Sequence, residues 1–182
     1  GTVNPRVFID RLAKKMPANV TVVADVGQNQ IWTCTEYKFR KEGRLLTSGG
    51  MGTMGYSVPA AIGAKMADNS RATVAICGDG AFQMSFMELA TAVQFGVDIK
   101  VVVMTNNRLG MVRELQTNGY HDRQTAVFLD GSPDFIKLAE AYGIPAMRVY
   151  DDDTMEKGVE MLAEHEGICL VEVVVDKDMP TL

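Results

Sequence analysis

Two polar residues that could bind a metal ion each follow a short apolar segment. Asp79 stands between two glycines directly after the apolar run 72–77, and Asn106 follows the β-branched run 100–105. Magnesium accepts carboxylate, amide and carbonyl oxygens, usually together with phosphate oxygens and water. One Asp, one Asn and a backbone carbonyl form a thin protein shell, so a diphosphate would have to complete it. Gly80 lacks a side chain, so its backbone N–H could approach that phosphate closely.

The segments around these residues are predicted to form a strand–turn–helix–strand–turn unit. The runs 72–77 and 100–105 are short and apolar, as is typical of buried parallel strands. Helical spacing predicts a helix over 84–95, with five apolar residues largely on one side: Met84, Met87, Leu89, Val93 and Phe95. Parallel strands end at the same edge of a sheet, where open α/β folds bind ligands. We therefore expect Asp79 and Asn106 to face each other across a small gap, beside the positive end of the helix.

The rest of the chain alternates between helical and strand patterns with short links. Helices are predicted over 5–16, 30–37, 109–118, 133–142 and 154–164 and in a segment ending at residue 67, and strands over 19–24, 147–150 and 168–175. Loops are predicted over 38–44 and 48–55. The segment 119–131 is either a mobile active-site segment or an ordinary surface loop, and 176–182 is expected to be frayed or truncated. This alternation predicts one α/β domain, residues 1–182, with a doubly wound, mostly parallel sheet and helices on both faces.

The composition is that of a soluble globular protein: 182 residues, of which 47% are hydrophobic and 23% charged. The net charge of −5 argues against nucleic acid or an anionic membrane as a partner. No apolar run approaches the roughly 18 residues of a membrane span, and no basic, apolar leader indicates secretion. Three scattered cysteines without a Cys-x-x-Cys pair are typical of reduced thiols, so we expect a cytoplasmic location.

A second candidate anion site follows the strand predicted over 19–24. There Gly27, Gln28 and Asn29 form a turn whose backbone N–H groups can make an anion nest. This turn belongs to one of four blocks that, in this order, resemble those of thiamine diphosphate enzymes, with a close match to the acetolactate (acetohydroxyacid) synthase family. The blocks are 25–32 (DVGQNQIW), 48–63 (SGGMGTMGYSVPAAIG), 78–84 (GDGAFQM) and 109–112 (LGMV).

The resemblance implies a longer enzyme, of which this chain is the C-terminal diphosphate-binding domain. Members of the family also have an N-terminal pyrimidine-binding domain and a middle domain, which carries FAD in the biosynthetic relatives. The complete enzyme would decarboxylate pyruvate on thiamine diphosphate and join the two-carbon product to a second 2-ketoacid. This is a transferase reaction of branched-chain amino acid biosynthesis. The isolated chain would be nearly inactive.

By resemblance, Asp79, Asn106 and the backbone carbonyl of Arg108 would hold Mg²⁺. Relatives usually have two residues between their Asn-Asn pair and Leu-Gly-Met-Val, whereas this chain has only Arg108 there. Alignment on Leu109 therefore makes Asn106 the ligand. The alternative register uses Asn107 and the Leu109 carbonyl.

The resemblance also implies how the diphosphate would be held. It would lie between two groups of residues, namely Val26, Gly27, Gln28 and Asn29 on one side and Gly78, Gly80 and Ala81 on the other. Asn29 stands where many relatives have His, and its amide can still donate a hydrogen bond.

The cofactor rings would lie against the second block. By resemblance, the Gly52 carbonyl accepts a hydrogen bond from the aminopyrimidine, and Met54 bends the cofactor into a V shape. An unbranched, polarizable thioether packs well against aromatic rings. Met111 would line the substrate side of the pocket. Leu115 replaces a Trp that shapes the second-substrate pocket in many relatives, so the preference between 2-ketobutyrate and pyruvate is not determined.

No catalytic residue is assigned to this chain. The activating Glu of the family belongs to the N-terminal domain of another subunit, and we interpret Glu36, Glu88 and Glu114 as structural or surface acids. The implied partners are small 2-ketoacids, the N-terminal domain of a second subunit in a homo-oligomer, and a small regulatory subunit.

Three other functions remain as alternatives. Another thiamine enzyme, such as a 2-ketoacid decarboxylase or oxidase, would release acetaldehyde or acetyl phosphate instead of acetolactate. A non-catalytic nucleotide-binding module would bind a dinucleotide or ATP, but the chain has no Gly-x-Gly-x-x-Gly and no Walker-type lysine. A pure assembly domain would dimerise without a ligand.

Overall fold

Residues along the central strands alternate between two apolar cores. In β3 (Thr73–Gly78), Val74 and Ile76 belong to the first core, and Ala75 and Cys77 belong to the second. Because successive strand side chains point to opposite faces, both faces of the sheet are apolar and both require a covering layer of helices. The computed structural model, which describes all 182 residues, has this layered arrangement.

Six strands form one sheet, in the order β2–β1–β3–β4–β6–β5. Besides β3, they are β1 (Thr21–Ala24), β2 (Arg44–Thr47), β4 (Lys100–Thr105), β5 (Ala146–Val149) and β6 (Cys169–Val174). Every pair of neighbouring strands is parallel. The predicted doubly wound α/β fold is therefore confirmed, and the sheet is wholly rather than mostly parallel.

Helices cover both faces of the sheet. The first core is covered by α1 (Pro5–Lys15), α2 (Gln28–Glu36) and α8 (Asp152–Glu164), and the second by α3 (Ser57–Ala67), α4 (Asp79–Phe82), α5 (Leu89–Gln94) and α7 (Phe135–Ala141). The remaining helix, α6 (Gly110–Gly119), follows β4 at the carboxyl edge of the sheet. None of these helices combines the length and the apolar character needed to cross a bilayer.

The chain changes its direction of travel across the sheet at β1. Strand β2 pairs with one side of β1, and β3 pairs with the other. The turn after β1 therefore leads to α2 on the first face, whereas the turn after β3 leads to α4 on the second face. Because these two turns diverge, they leave a crevice at the carboxyl edge, which is the usual place of ligands in open α/β sheets.

The continuous helix predicted over 84–95 is wrong. The chain instead forms α4, then a short 3-10 helix (Phe86–Glu88) and then α5. Of the five apolar residues assigned to one side, only Leu89 is buried, and the other four are between 43% and 64% exposed: Met84, Met87, Val93 and Phe95. Each break resets the helical phase, so residues at regular sequence spacing do not share a face.

Other boundaries also differ from the predicted ones. The edge strand β2 lies between the two predicted loops and overlaps the first of them at Arg44. Its sequence, Arg-Leu-Leu-Thr, contains only one β-branched residue, so it has little strand signal. Helix α2 begins at Gln28 rather than at residue 30. Helix α7 begins at Phe135, because Asp134 rather than Ser132 is its N-cap and accepts from Ile136 N at 3.1 Å.

Residues 176–182 are hydrogen-bonded to the body of the fold, so the expectation of a frayed segment is wrong. Trp32 Nε1 donates to the Pro180 carbonyl at 3.1 Å, and Arg6 Nη2 donates to the Thr181 carbonyl at 2.9 Å. The partners are 148 and 175 positions apart in sequence. Local sequence patterns carry no signal for contacts at that separation.

Gly158 should not tolerate a side chain, whereas Gly63 should. A Cβ at Gly158 in α8 would lie 2.6 Å from Val149 Cγ2 and 3.3 Å from Val171 Cγ1. Valine side chains are short and stiff, so we expect Gly158→Ala to lower the free energy of unfolding by about 1–3 kcal/mol. A Cβ at Gly63 in α3 would meet nothing within 4 Å. Because Ala is the better helix former, Gly63→Ala should raise the free energy of unfolding by about 0.5–1 kcal/mol.

Denaturant unfolding of the wild type and the two glycine variants measures both changes. Both substitutions add the same methyl group to a helix. Opposite signs of the two changes in the free energy of unfolding therefore report the difference in packing. Stabilisation by Gly158→Ala would contradict the close packing of α8 on β5 and β6.

Candidate cofactor and metal site

The crevice between the diverging turns is a cavity of about 300 Å³. It opens between the carboxyl ends of β1, β3 and β4 and the start of α6. Every residue that the sequence assigns to the cofactor or the metal lines this cavity. The lining also contains Trp32, Leu109, Gly110 and Val112, which belong to the sequence blocks without an assigned cofactor contact, and Met104 and Val175, which the sequence did not single out.

Asp79 lies at the end of β3 and is only 2% exposed. Its carboxylate accepts hydrogen bonds from the backbone N–H groups of Gly80 at 2.8 Å, Asn106 at 3.1 Å and Asn107 at 2.7 Å. No Lys, Arg or His forms an ion pair with it. Burial raises the pKa of the Asp79 carboxyl to about 6, although these three hydrogen bonds oppose the shift. The site therefore contains a buried negative charge that lacks a cation.

Asn106 and Asn107 occupy different environments. Asn106 lines the cavity, where its Oδ1 accepts from Arg108 N at 3.0 Å and its Nδ2 donates to Gln28 Oε1 at 3.0 Å. Asn107 is exposed and does not line the cavity. Its φ of 55° is a left-handed conformation that Asn tolerates better than most residues. This geometry favours Asn106 over Asn107 as a ligand and gives Asn107 a conformational role.

The donors at this point fit a hard divalent cation. They are the Asp79 carboxylate, the Asn106 amide oxygen and the backbone carbonyl of Arg108, and all three residues line one cavity. Oxygen donors of this kind, completed by phosphate and water, suit Mg²⁺. No group of three or more His, Cys, Asp or Glu side chains is placed to hold a metal ion. A cation at Asp79 would also compensate the buried charge.

The start of α2 offers an anion site of backbone groups. Gly27 precedes the helix with a φ of 135°, and a Cβ there would lie 2.7 Å from Asn29 Oδ1, so the position requires glycine. No side chain caps the helix. Gln30 N donates to the Gly27 carbonyl at 3.0 Å, which leaves the N–H groups of Gln28 and Asn29, two residues that line the cavity, without a protein acceptor, as in many phosphate sites. Because α2 begins two residues earlier than predicted, Gln28 and Asn29 belong to this first turn.

The side chains of Gln28 and Asn29 both donate to protein acceptors in this structure. Asn29 Nδ2 donates to the Asp25 carbonyl at 2.8 Å and to the Ile76 carbonyl at 3.2 Å, which ties α2 to the ends of β1 and β3. Gln28 Nε2 donates to the Met179 carbonyl at 2.9 Å and to Thr181 Oγ1 at 3.1 Å. The backbone N–H groups of both residues remain available to an anion.

Two glycines let side chains meet across the cavity. A Cβ at Gly110 would lie 1.8 Å from Gln28 Oε1, so only glycine leaves room for that side chain. A Cβ at Gly80 would lie 2.8 Å from Leu109 Cδ2 and 3.2 Å from Met54 Cε. The expected dipole contribution after Gly80 is small, because α4 has only four residues and the Gly80 N–H donates to Asp79.

Asp25 is a functional candidate that the sequence reasoning did not identify. It is fully buried, and its carboxylate accepts from Val26 N at 3.0 Å, Gly55 N at 3.1 Å and Ser57 N at 2.8 Å. Burial raises the pKa of the Asp25 carboxyl. These bonds hold the 48–57 segment, including Met54, against the cavity. An acid directly after a buried strand was the available signal, as it was for Asp79.

The other assigned residues lie as follows. Met111 lines the cavity, but Leu115 is 60% exposed and lies outside the lining. Part of the segment 119–131 is attached beside the cavity, since Leu109 N donates to the Val127 carbonyl at 2.9 Å and Leu129 N donates to the Asn107 carbonyl at 3.0 Å. The acids interpreted as structural do not line the cavity: Glu36, Glu88 and Glu114.

Comparison with known proteins adds a family to this geometry. A family model described as "Thiamine pyrophosphate enzyme, C-terminal TPP binding domain" matches residues 25–173. The chain is 39% identical over 185 aligned positions to the mitochondrial acetolactate synthase catalytic subunit of Aspergillus candidus, covering 100% of this chain and 26% of that protein.

Two bacterial relatives show the same partial coverage. The acetolactate synthase large subunit of Lactococcus lactis subsp. lactis is 39% identical, covering 96% of this chain and 30% of that protein. The acetolactate synthase isozyme 2 large subunit of Escherichia coli is 34% identical, covering 94% of this chain and 31% of that protein. The chain thus spans about a quarter to a third of the length of these curated relatives.

The raised pKa of Asp79 predicts a pH-dependent stability of the ligand-free chain. Between the ordinary value of 3.8 and about 6, the folded state holds a proton that the unfolded state releases. The contribution of Asp79 to the free energy of unfolding therefore falls as the pH rises through this range. Asp79→Asn cannot ionise. The free energy of unfolding of Asp79→Asn minus that of the wild type should increase by about 2–3 kcal/mol from pH 4 to pH 7.

Urea unfolding of both proteins at several pH values, with a chelator present to remove divalent cations, measures this difference. The subtraction cancels the groups that the two proteins share, including the buried Asp25. A difference that does not change with pH would show that Asp79 titrates normally.

Proposed function

This chain belongs to the thiamine pyrophosphate enzymes, as a C-terminal TPP-binding domain, and on that premise we propose that it is the diphosphate-binding domain of an acetolactate synthase catalytic subunit. The complete protein would decarboxylate pyruvate and join the two-carbon product to a second 2-ketoacid, in branched-chain amino acid biosynthesis. The main support for this proposal is the Asp79 carboxylate, which is buried without a cationic side chain as partner. It lies in a cavity lined by residues of all four sequence blocks. When bound, thiamine diphosphate supplies the electron sink for decarboxylation.

The residues of this chain would bind and orient the diphosphate end of the cofactor. Asp79, Asn106 and the Arg108 carbonyl would hold Mg²⁺, which neutralises both the carboxylate and the phosphates. The first-turn N–H groups of α2, preceded by Val26 and Gly27, would bind the terminal phosphate. Gly78, Gly80 and Ala81 would face it from the other side. This assignment is supported by the position of all these residues around one cavity.

The aromatic rings would contact the wall formed by the 48–57 segment. Met54 packs within reach of Gly80 across the cavity and is placed by the hydrogen bonds of Asp25. Gly52, with a φ of 60°, would present its carbonyl to the aminopyrimidine. Met111, at the start of α6, would exclude water on the substrate side.

The remainder of the active site would come from other parts of the full-length protein. We propose that the N-terminal pyrimidine-binding domain of a second subunit supplies the activating acid, so that the enzyme works as a homo-oligomer. Exposed apolar residues within the second and third sequence blocks support a covered surface here, namely Met51 and Met84, which are 88% and 58% exposed. FAD and a small regulatory subunit would belong to the full-length enzyme, and this chain alone would be nearly inactive.

A 2-ketoacid decarboxylase or oxidase of the same family is the second candidate. Leu115 is the observation that keeps it in place, because by resemblance many acetolactate synthases have at this position a Trp that shapes the pocket of the second substrate. Product analysis of the full-length protein with pyruvate separates the candidates, since acetolactate, acetaldehyde and acetyl phosphate are chemically distinct.

Calorimetric titration tests the cofactor assignment directly. Thiamine diphosphate should bind the 182-residue chain weakly, only with Mg²⁺, and not detectably in Asp79→Ala, because that variant lacks the anionic metal ligand. If the wild type gives no heat of binding, even after separately produced N-terminal domains are added, cofactor binding is contradicted. A wild-type signal that Asp79→Ala retains would contradict the metal assignment.

A pair of asparagine variants tests the metal register. Asn106→Ala removes an amide oxygen from the cavity and should lower the Mg²⁺-dependent affinity for thiamine diphosphate by at least about 10-fold. Asn107→Gly removes the neighbouring side chain but keeps the left-handed backbone, so it should leave the affinity nearly unchanged. The reverse result in the same calorimetric titration would assign the metal to Asn107 and the Leu109 carbonyl.

A further inference from the structure

The segment 176–182 is hydrogen-bonded to a residue of the cavity wall. Gln28 Nε2 donates to both the Met179 carbonyl and Thr181 Oγ1, and Gln28 Oε1 accepts from Asn106 Nδ2. The segment is fixed on its other side by Glu114 in α6. Thr181 N donates to Glu114 Oε1 at 2.7 Å, and the Thr181 hydroxyl donates to Glu114 Oε2.

These contacts have a fixed direction, because each group offers a limited choice of donors and acceptors. A carboxylate only accepts, so the Thr181 hydroxyl gives its hydrogen to Glu114. The hydroxyl oxygen is then left to accept from Gln28 Nε2. The Met179 carbonyl takes the second hydrogen of the same nitrogen.

The direction of the Gln28 amide determines that of Asn106. With both Nε2 hydrogens turned toward 176–182, Gln28 presents its oxygen to Asn106. Asn106 must therefore turn its nitrogen toward Gln28 and its oxygen away from it. That oxygen accepts one hydrogen bond from Arg108 N at 3.0 Å and keeps a second lone pair for another partner.

We propose that residues 176–182, anchored by Glu114, are a positioning element for the metal site. The relay Glu114–Thr181–Gln28–Asn106 keeps the Asn106 oxygen, rather than its nitrogen, in the ligand position. Gln28 thus acts through Asn106, and its side chain is not a phosphate donor. The identity of the metal and cofactor in this role rests on the proposed function, whereas the orientation of the two amides does not.

Local packing indicates that residues 176–182 make a specific contact with the cavity wall. Gln28 is 5% exposed, and its side chain fills the space that Gly110 leaves. Arg113, next to Glu114 and 8% exposed, lies 3.8 Å from Asp178. The indole of Trp32 donates to the Pro180 carbonyl. Contacts at four consecutive residues, 178–181, therefore hold the segment in one register beside the cavity.

Thr181→Val is the sharpest test, because it keeps the shape of the side chain and removes the hydroxyl. Thr181→Ser is its matched control, since it keeps the hydroxyl. In the ligand-free chain, nitrogen-15 NMR should show restrained side-chain amide signals for Gln28 and Asn106 in the wild type and in Thr181→Ser. The signals should shift and exchange faster in Thr181→Val. Trp32 is the only tryptophan, so its fluorescence reports whether 176–182 stays attached.

The same variants are then titrated with thiamine diphosphate with and without Mg²⁺. Thr181→Val should lose about 10-fold or more of the Mg²⁺-dependent affinity, the range typical for residues that orient metal ligands. Thr181→Ser should stay close to the wild type. Glu114→Gln, which cannot accept both Thr181 hydrogen bonds, should weaken binding in the same direction, while the exposed Glu156→Gln should not.

The two proposals fail differently. If the wild type binds no cofactor in the presence of Mg²⁺, the proposed function is contradicted. The amide signals of the ligand-free chain still test whether the relay exists. Unchanged amide signals in Thr181→Val overturn the relay whatever the chain binds. Altered signals with an unchanged Mg²⁺ dependence overturn its role in positioning the metal ligand.

Discussion

The buried carboxylate of Asp79 is the constraint around which the rest of the site is arranged. A charge at 2% exposure without a cationic partner is costly, and three backbone N–H groups offset only part of that cost. Two of these groups come from the turn after β4. They reach Asp79 because β3 and β4 are adjacent and parallel, so the two strands end side by side. The part of the desolvation cost that these hydrogen bonds do not offset raises the pKa of Asp79. A bound cation would offset that part.

The sequence was sufficient where local patterns decide the structure. Two short apolar runs identify β3 and β4, and buried parallel strands end at one edge, so the meeting of Asp79 and Asn106 followed from pattern and topology alone. The same reasoning failed over 84–95. A period of 3.6 residues predicts a shared face only while the helix is continuous, and the chain breaks it twice before Leu89.

The sequence was insufficient where a long-range partner decides the role of a side chain. Residue type indicates that Gln28 and Asn29 can donate hydrogen bonds, but only the fold determines which acceptor takes them. Gln28 finds Thr181 at a separation of 153 positions, and Asp25 reaches Ser57 across 32 positions. The lining of the cavity was therefore predictable from motifs, whereas the function of each lining side chain was not.

Three acids orient three different parts of the cavity wall, although only Asp79 lines the cavity itself. Asp25 holds the 48–57 segment, Asp79 holds the turn after β4, and Glu114 holds 176–182. A carboxylate can only accept, so each one fixes the direction of the N–H and O–H groups around it without ambiguity. The surface left for a ligand then consists mainly of backbone N–H groups, glycines, an amide oxygen and methionines. Such backbone and amide groups would bind a diphosphate without changing protonation. Among the three acids, only Asp79 lines the cavity, so only Asp79 would also contact a metal ion directly.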